Sequence, residues 1–305
     1  MKLIDAVDLF TNRPEIASAT QRTYLYDLKT MCSHLGPARL VTDIIPADLL
    51  RYAHSLSESE TITSNHTYNK HVTSIKAFFK FCADARIIPE NPAKVLKKKR
   101  VSRRVPKSKA MPDSKLVKLL EYVKETPRGW SPREESLVRF LADTGVRIGS
   151  AAALTESPDH LNLKERWAAV EMKNMVDLHV VRFGRECSHA LSAWLLARNA
   201  TEGNYVFSTD GHRMTNDSLG QYFTRLGKRA GIGTWGPHSL RHRFGHNAAK
   251  KFPPSIGAKM LGDTVEVYIA HYAQYDDETI LKSMAEMTTD HLLNTGIIVP
   301  KFKES

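Results

Sequence analysis

HSLRHRFGHNAA, residues 238–249, is the stretch of this sequence that says most about the fold. It concentrates three histidines and two arginines in twelve residues, and KMLGDTVEVYIAHYA follows at residues 259–273. From Ser188 onward, apolar residues recur at the spacing of amphipathic helices, so this part of the chain is predicted to be helical. The other helical stretches here are SAWLLARN, LGQYFTRLGKRAG and SIGAKMLG.

Two further helices are predicted upstream of this region. Asp113 is expected to cap a helix that reaches Lys124, and Pro132 is expected to open one that reaches Asp143. Thr144-Gly145 then interrupts the helical pattern before it resumes in RIGSAAALT. The sequence therefore predicts a break in the chain immediately before an arginine.

The remaining patterns decide the fold class. WAAVEMK at 167–173 and LHVVRF at 178–183 are short apolar stretches joined by NMVD, which predicts a β-hairpin. The first 96 residues show only helical spacing, with helices expected from Ala19 to Leu35, from Pro46 to Leu56 and from Asn65 to Arg86. The predicted fold is mainly α with a small β-sheet.

Basic charge is concentrated in one segment. A chain of 305 residues exceeds what one hydrophobic core usually supports, which favours two domains. The formal net charge is +11, and +8 of it lies in KKKRVSRRVPKSKAMP at residues 97–112. We therefore predict a helical domain over 1–96, a basic linker over 97–112 and a second domain over 113–305.

The linker is interpreted as lying on nucleic acid, because a block of like charge stays extended and binds phosphates. A merely solvated charge run and a nuclear localisation signal are the alternatives. Two lysines on the polar side of the third helix join the linker as candidates, although exposed helical lysines often serve only solvation. The candidate DNA-binding residues are Lys70, Lys76, Lys97, Lys98, Lys99, Arg100, Arg103 and Arg104.

Several other classes of protein are disfavoured. Cys32, Cys82 and Cys187 are scattered and form no C-x-x-C pair, which argues against a disulfide framework or a zinc ribbon. No stretch approaches 18 consecutive apolar residues and the first ten residues contain acids, so neither a membrane span nor a signal peptide is predicted and a cytoplasmic location is expected. No phosphate-loop or dinucleotide motif occurs, and His242 and His246 have no evident third ligand, so neither cofactor nor metal is expected.

One set of cations and a tyrosine fits a single reaction. Arg147 and Arg241 could bind the non-bridging oxygens of a phosphodiester, since guanidinium groups bind such oxygens in pairs and stay protonated. Tyr272 could attack the phosphorus, but a phenol with a pKa of about 10 needs a base near neutral pH. His238 could accept that proton and Lys173 could protonate the departing 5′-oxygen. Taken singly, each residue has an ordinary structural explanation; taken together, they favour DNA cleavage.

At these residues the sequence resembles the tyrosine recombinase, or phage integrase, family. TGVRIGSAAAL, HSLRHRFGHNAA and KMLGDTVEVYIAHYA look like its three catalytic boxes, in the same order and at similar spacing. Arg147, Lys173, His238, Arg241 and Tyr272 fall on the family's functional positions. The stretch TYNKHVTSIKAFFKFCADARIIPENPA also looks like the family's core-binding domain, so the resemblance covers nearly the whole chain.

The resemblance implies a C-shaped clamp of two domains around double-stranded DNA. It implies a site-specific DNA recombinase that forms a 3′-phosphotyrosine without metal or cofactor, and a homotetramer assembled on two DNA sites. A catalytically degenerate DNA-binding homologue and a type IB topoisomerase-like enzyme are the alternatives. Tyr275 competes with Tyr272, whereas Tyr268 is expected to pack inward. A helix from Glu278 to Asn294 and a tail are expected to dock either on their own domain or on the next protomer.

Two positions depart from the family pattern. Asp263 stands where the third box has histidine or tryptophan, and Ser150 stands where an acid follows the first arginine. An ionised carboxylate beside a phosphate is repelled, so Asp263 cannot simply replace a hydrogen-bond donor. We count it among the catalytic candidates on the hypothesis that it orients a neighbouring histidine or lysine.

Overall fold

The structure is a computed structural model, and it describes residues 1–101, 109–125, 129, 131–172, 175–198 and 203–272. The chain separates into two compact units, residues 1–104 and 105–305. The separation falls inside the basic segment 97–112. The domain borders drawn from the sequence stay a prediction, and each unit is described by itself below.

The described part of the N-terminal unit is helical. Its helices are α1 (Leu3–Thr11), α2 (Ser18–Leu35), α3 (Pro46–Glu58) and α4 (Asn65–Asp84), with 3₁₀ turns at Val41–Asp43 and Pro92–Val95. Three of the helices follow the prediction closely. Ser64 caps α4, since its hydroxyl accepts a hydrogen bond from the Thr67 amide at 3.1 Å.

Helix α1 was not predicted, although the sequence carries its signal. Leu3, Val7 and Phe10 recur at helical spacing, and all three are at most 1% exposed. The Phe10 ring lies 5.7 Å from the ring of Phe78 on α4. Helix α1 therefore contributes to the core of this unit.

The C-terminal unit contains eight helices and one small sheet among its described residues. The helices are α5 (Asp113–Lys124), α6 (Pro132–Thr144), α7 (Ile148–Ala153), α8 (Arg185–Ala197), α9 (Asn216–Arg229), α10 (Pro237–Ala249), α11 (Pro254–Leu261) and α12 (Val265–His271). The strands are β1 (Leu161–Asn162), β2 (Trp167–Val170) and β3 (His179–Arg182), antiparallel in the order β1-β2-β3. The predicted fold class and hairpin are confirmed, and β1 is an additional strand.

Asp113 does not cap α5 as predicted. The N-cap residue is Pro112, which offers no side-chain acceptor, and Asp113 is the first helical residue. The Asp113 carboxylate instead accepts a hydrogen bond from Nε of Arg243 at 2.7 Å. This ion pair joins the start of α5 to α10.

Helix α6 packs at the centre of the C-terminal unit, against the helices that precede and carry the candidate residues. Leu137, Val138, Phe140 and Leu141 are at most 1% exposed, and α6 packs against both α8 and α10. No helix of the described residues is both long and apolar enough to cross a membrane.

Candidate active site

Two glycines end helices just before candidate residues. Helix α6 ends at Gly145 and α11 ends at Gly262. Their backbone φ angles are 64° and 63°, values that residues with a Cβ rarely adopt. Arg147 follows the first glycine by two residues and Asp263 follows the second directly. The helix ends therefore determine where these two side chains leave the backbone.

Arg241 on α10 is held between those two helix ends. Its Nη1 donates to the Gly145 carbonyl at 2.9 Å and its Nη2 donates to the Leu261 carbonyl at 3.2 Å. Carbonyl groups at helix C-termini carry partial negative charge and bind cations favourably. The side chain is 3% exposed, so the guanidinium is fixed in one orientation.

Asp263 bridges the two arginines. Its Oδ1 accepts from Nη2 of Arg147 at 2.7 Å, and its Oδ2 accepts from Nη2 of Arg241 at 2.6 Å. The Asp263 side chain is 4% exposed, whereas that of Arg147 is 32% exposed. The carboxylate therefore lies on the inner side of the pair, and the part of the cluster that solvent reaches belongs to Arg147.

His238 is the second residue of α10 and lies three residues before Arg241. Partial burial, together with the positive charges of Arg241 and Arg147, lowers the pKa of its imidazole. At neutral pH the ring is neutral and can accept a proton.

Tyr272 directly follows α12, and its ring packs against α10. The side chain is 6% exposed, and its ring centroid lies 5.4 Å from that of His242 and 6.1 Å from that of His246. Tyr268, one turn earlier, is 0% exposed and donates its hydroxyl to the Gly245 carbonyl at 2.9 Å. The prediction that Tyr268 packs inward is confirmed.

Other predicted site residues lie outside the described part of the chain. These are Lys173, Arg103, Arg104 and Tyr275, together with the helix predicted at 278–294. Ser150 is described, and it donates its hydroxyl to the Glu171 carbonyl at 2.6 Å. The residue that replaces the family's acid thus joins α7 to the chain just after β2.

The N-terminal unit holds the first part of the basic segment against α4. Asn69 and Lys99 form a reciprocal pair, in which Asn69 Nδ2 donates to the Lys99 carbonyl at 2.9 Å and the Lys99 amide donates to Asn69 Oδ1 at 2.8 Å. Asn65 Nδ2 donates to the Arg100 carbonyl at 2.8 Å. These asparagines were not predicted to matter.

The candidate lysines of this unit have partners of their own. Nζ of Lys70 lies 3.4 Å from the buried carboxylate of Asp27, and Nζ of Lys99 lies 4.5 Å from the centre of the Tyr68 ring. Lys76, on α4, is partly buried. The ammonium groups of Lys70 and Lys99 are thus already bound on the protein surface.

Comparison with known proteins identifies the chain. The model of the phage integrase family matches residues 109–278, more than half of the sequence. The chain belongs to the phage integrase family. The resemblance predicted from the three motifs is thereby confirmed.

Relatives of this phage integrase family chain include tyrosine recombinases from several bacteria. It is 24% identical over 260 residues to tyrosine recombinase XerC of Roseiflexus castenholzii, a match that covers 82% of this chain and 81% of the relative. It is also 24% identical over 215 residues to tyrosine recombinase XerD of Oceanobacillus iheyensis, covering 65% and 66% of the two chains.

Solved structures of integrases share the fold. The Tn1549 transposon integrase in complex with transposon right end DNA matches with a TM-score of 0.75 at 16% identity, covering 94% of this chain and 99% of that one. A lambda integrase dimer bound to a COC' core site matches with a TM-score of 0.70 at 15% identity, covering 91% and 80%. At these identities the likeness concerns the fold.

The function predicted from the sequence is confirmed at the level of the family. The family match and the recombinase relatives support a tyrosine recombinase enzyme for site-specific DNA recombination. They favour neither the degenerate DNA-binding homologue nor the topoisomerase-like enzyme.

Proposed function

We propose that this recombinase cleaves double-stranded DNA with Tyr272, while Arg147 and Arg241 bind the scissile phosphate. The observation that supports this most is that both arginines meet at the carboxylate of Asp263. One of them, Arg241, lies on α10, the helix that also contacts the Tyr272 ring. Guanidinium groups stabilise the negative charge that spreads over the phosphoryl oxygens in the transition state.

Asp263 has other hydrogen-bond partners than the sequence-based hypothesis expected. We expected it to orient a histidine or lysine, and its described hydrogen bonds go to Arg147 and Arg241 instead. The reason is geometric, because Arg241 is fixed between two helix ends and Gly262 brings Asp263 next to it. We assign Asp263 to holding both guanidinium groups in register, so that the exposed edge of Arg147 is left for the phosphate.

Proton transfer is assigned to two groups. A Tyr272 oxygen forms a bond to phosphorus as the bond from phosphorus to the 5′-oxygen breaks. The phenol proton goes to a base, for which the neutral His238 is the candidate, and the 5′-oxygen gains a proton, for which Lys173 is the candidate. A free 5′-hydroxyl reverses the step and rejoins the strand. The reaction needs neither metal nor cofactor.

DNA is the proposed partner, and assembly is proposed to follow that of relatives. Six candidate cations, Lys70, Lys76, Lys97, Lys98, Lys99 and Arg100, lie in the described N-terminal unit, and Arg103 and Arg104 continue the basic run. A lambda integrase tetramer bound to a Holliday junction is among the structural neighbours. By analogy with that neighbour, we propose that this chain assembles as a homotetramer on two DNA sites. We also propose that it acts in the cytoplasm.

A trapped covalent complex tests the proposed nucleophile. Duplexes enriched by binding from a random library would be nicked near the cleavage point, so that the released fragment diffuses away and religation fails. We expect a covalent protein–DNA band for the wild-type protein and none for Tyr272→Phe. Tyr122→Phe, on α5 and outside the site, is the matched control and should retain the band.

Two outcomes would contradict the proposal. Binding of the enriched duplexes by the wild-type protein without any covalent band would argue for a protein that does not cleave. A covalent band that persists in Tyr272→Phe and disappears in Tyr275→Phe would assign the nucleophile to Tyr275.

A further inference from the structure

The ring of Tyr272 rests directly on the backbone of α10 at Gly245. A Cβ added at Gly245 would lie 2.5 Å from Cδ1 and 2.6 Å from Cγ of Tyr272. Carbon atoms do not approach so closely, so this contact requires glycine. Glycine weakens a helix interior relative to alanine, and Gly245 lies inside α10. The close packing of the Tyr272 ring explains why glycine, which destabilises a helix, occupies position 245.

Two histidines of α10 border the same ring. His242 and His246 are four residues apart and lie on one face of the helix, with their ring centroids 5.4 and 6.1 Å from that of Tyr272. His246 also forms a hydrogen bond with the Tyr272 backbone. Burial lowers the pKa of both imidazoles, that of His242 to about 4, so both rings are neutral at neutral pH.

Tyr268 also borders the Tyr272 ring. Its ring centroid lies 5.3 Å from that of Tyr272, and its hydroxyl donates to the Gly245 carbonyl at 2.9 Å. Both tyrosines at the end of α12 therefore contact the same residue of α10. We call His242, Gly245, His246 and Tyr268 the Tyr272 seat.

The seat lies one helical turn from the arginine pair. Gly245 follows Arg241 by four residues, a rise of about 6 Å along a helix, and the two share a face. Helix α10 thus carries one phosphate-binding arginine and the surface on which Tyr272 packs. A rigid helix fixes the spacing between these two groups before DNA binds.

We propose that Gly245 and His246 are positioning residues for the nucleophile, which place the Tyr272 ring on α10 in register with Arg241. This inference rests on the proposed function, because the packing of Tyr272 matters for catalysis only if Tyr272 is the nucleophile. Gly245 sets how closely the ring approaches the helix, and His246 holds the backbone on which the ring is carried. Neither residue touches the reacting atoms.

Gly245→Ala tests the seat. The added methyl group must displace the ring by on the order of 1 Å, and a shift of that size can cost about 100-fold in rate. We expect single-turnover cleavage to fall by about 10- to 100-fold, with DNA affinity within about twofold of wild type. Gly220→Ala is the matched control, because it also lies inside a helix and nothing lies within 4 Å of the added Cβ.

His246 offers an independent pair of variants. Glutamine retains a side-chain N–H that can reach the Tyr272 backbone, whereas alanine does not. His246→Ala should reduce the cleavage rate and His246→Gln should restore much of it, again with unchanged DNA affinity. Equal rates in the two variants would exclude the hydrogen bond as the cause. This pair also tests the proposal if Gly245→Ala does not fold.

Nitration of tyrosines gives a readout that does not depend on cleavage. Tyr272 is 6% exposed and should react slowly with tetranitromethane in the wild-type protein, with Tyr26, 67% exposed, as the internal reference. Gly245→Ala should increase the nitration of Tyr272 relative to Tyr26, as measured by peptide mass spectrometry.

The outcomes separate the seat from the function on which it rests. If the wild-type protein forms a covalent complex and Gly245→Ala forms it equally fast, the positioning role of the Tyr272 seat is overturned while the proposed function stands. If the wild-type protein forms none while nitration still changes, the proposed function is overturned and the packing has no catalytic purpose.

Discussion

The carboxylate of Asp263 is buried between two arginines. This carboxylate and the Arg241 guanidinium are almost fully buried, and the two arginines and one aspartate leave a net charge of +1. Buried ion pairs are costly to break, since removing one partner leaves an uncompensated charge. The Asp263 carboxylate therefore holds the two arginines in place, and their remaining positive charge favours binding of a phosphate.

Asp263→Asn removes that negative charge while keeping the shape of the side chain. We expect the free energy of unfolding to fall by about 3 kcal/mol, because Arg241 loses its buried counter-ion. Inorganic phosphate should raise the melting temperature of this variant more than that of the wild-type protein, since it supplies the missing anion. Thermal melts with and without phosphate measure both effects, and Asp159→Asn, at an exposed site, is the control.

The reverse result would change the role of Asp263. An increase in cleavage for Asp263→His, without any other change, would show that the aspartate obstructs the phosphate rather than orienting the arginines. An equal response to phosphate in Asp263→Asn and the wild-type protein would also contradict the bridging role.

The pH dependence of cleavage tests His238. Its pKa lies below the ordinary value of 6.5, because of partial burial and the charges of Arg241 and Arg147. The neutral form that accepts a proton therefore persists to lower pH than for a free histidine. We expect the second-order rate constant of cleavage, which reports the free enzyme, to fall only below pH 6.5. His238→Gln should lack this fall, and a fall already at pH 7 or above would exclude His238 as the base.

At the scale of elements, helix ends and one asparagine pair decide where charge is presented. Gly145 and Gly262 end α6 and α11, and Arg241 donates to the carbonyls of Gly145 and Leu261 at these ends. In the N-terminal unit, Asn69 hydrogen bonds in both directions with the backbone of Lys99, in the manner of a neighbouring strand. The backbone of Lys99 and Arg100, at the start of the basic segment, is thus bound to α4 by side chains that carry no charge.

Asn69→Ala tests whether that attachment matters for DNA. Without it, Lys99 and Arg100 lose their fixed place on α4, so fewer phosphates are neutralised at once. We expect affinity for the enriched duplexes to fall several-fold, and the slope of log affinity against log salt to decrease by about one. Asn204→Ala, in an exposed loop of the C-terminal unit, should leave both quantities unchanged. An unchanged salt slope in Asn69→Ala would show that the attachment has no role in binding.

At the scale of the whole molecule, charge and chemistry are carried by different parts of the chain. Most of the net charge of +11 lies in the 16 residues of the segment 97–112, and the flanking regions are nearly neutral. The division into two compact units falls in that segment. Affinity without sequence preference is expected from the segment, whereas the groups proposed for cleavage belong to the C-terminal unit.

The sequence alone was sufficient for the fold class, the hairpin and the family. A helix that buries one face carries apolar residues at helical spacing. For this reason the ends of α2 to α6 were predicted to within a few residues. Helix α1 was missed although its Leu3, Val7 and Phe10 carry the same signal. The motifs made Arg147, Arg241 and Tyr272 candidates because such residue types in that order are rare by chance, and their roles stay a prediction.

Only the tertiary structure decided which groups meet. The partners of Asp263 come from α10 and from the chain after α6, 22 and 116 residues away, and no local pattern encodes such a contact. The need for Gly245 appears only when the Tyr272 ring is placed against α10. Periodicity is a local property set by the backbone, whereas a buried ion pair or a close ring contact depends on how distant helices pack. The sequence thus determined the fold class, the family and the candidate residues of this recombinase. The packing of α6, α10, α11 and α12 determined how the candidate site is assembled.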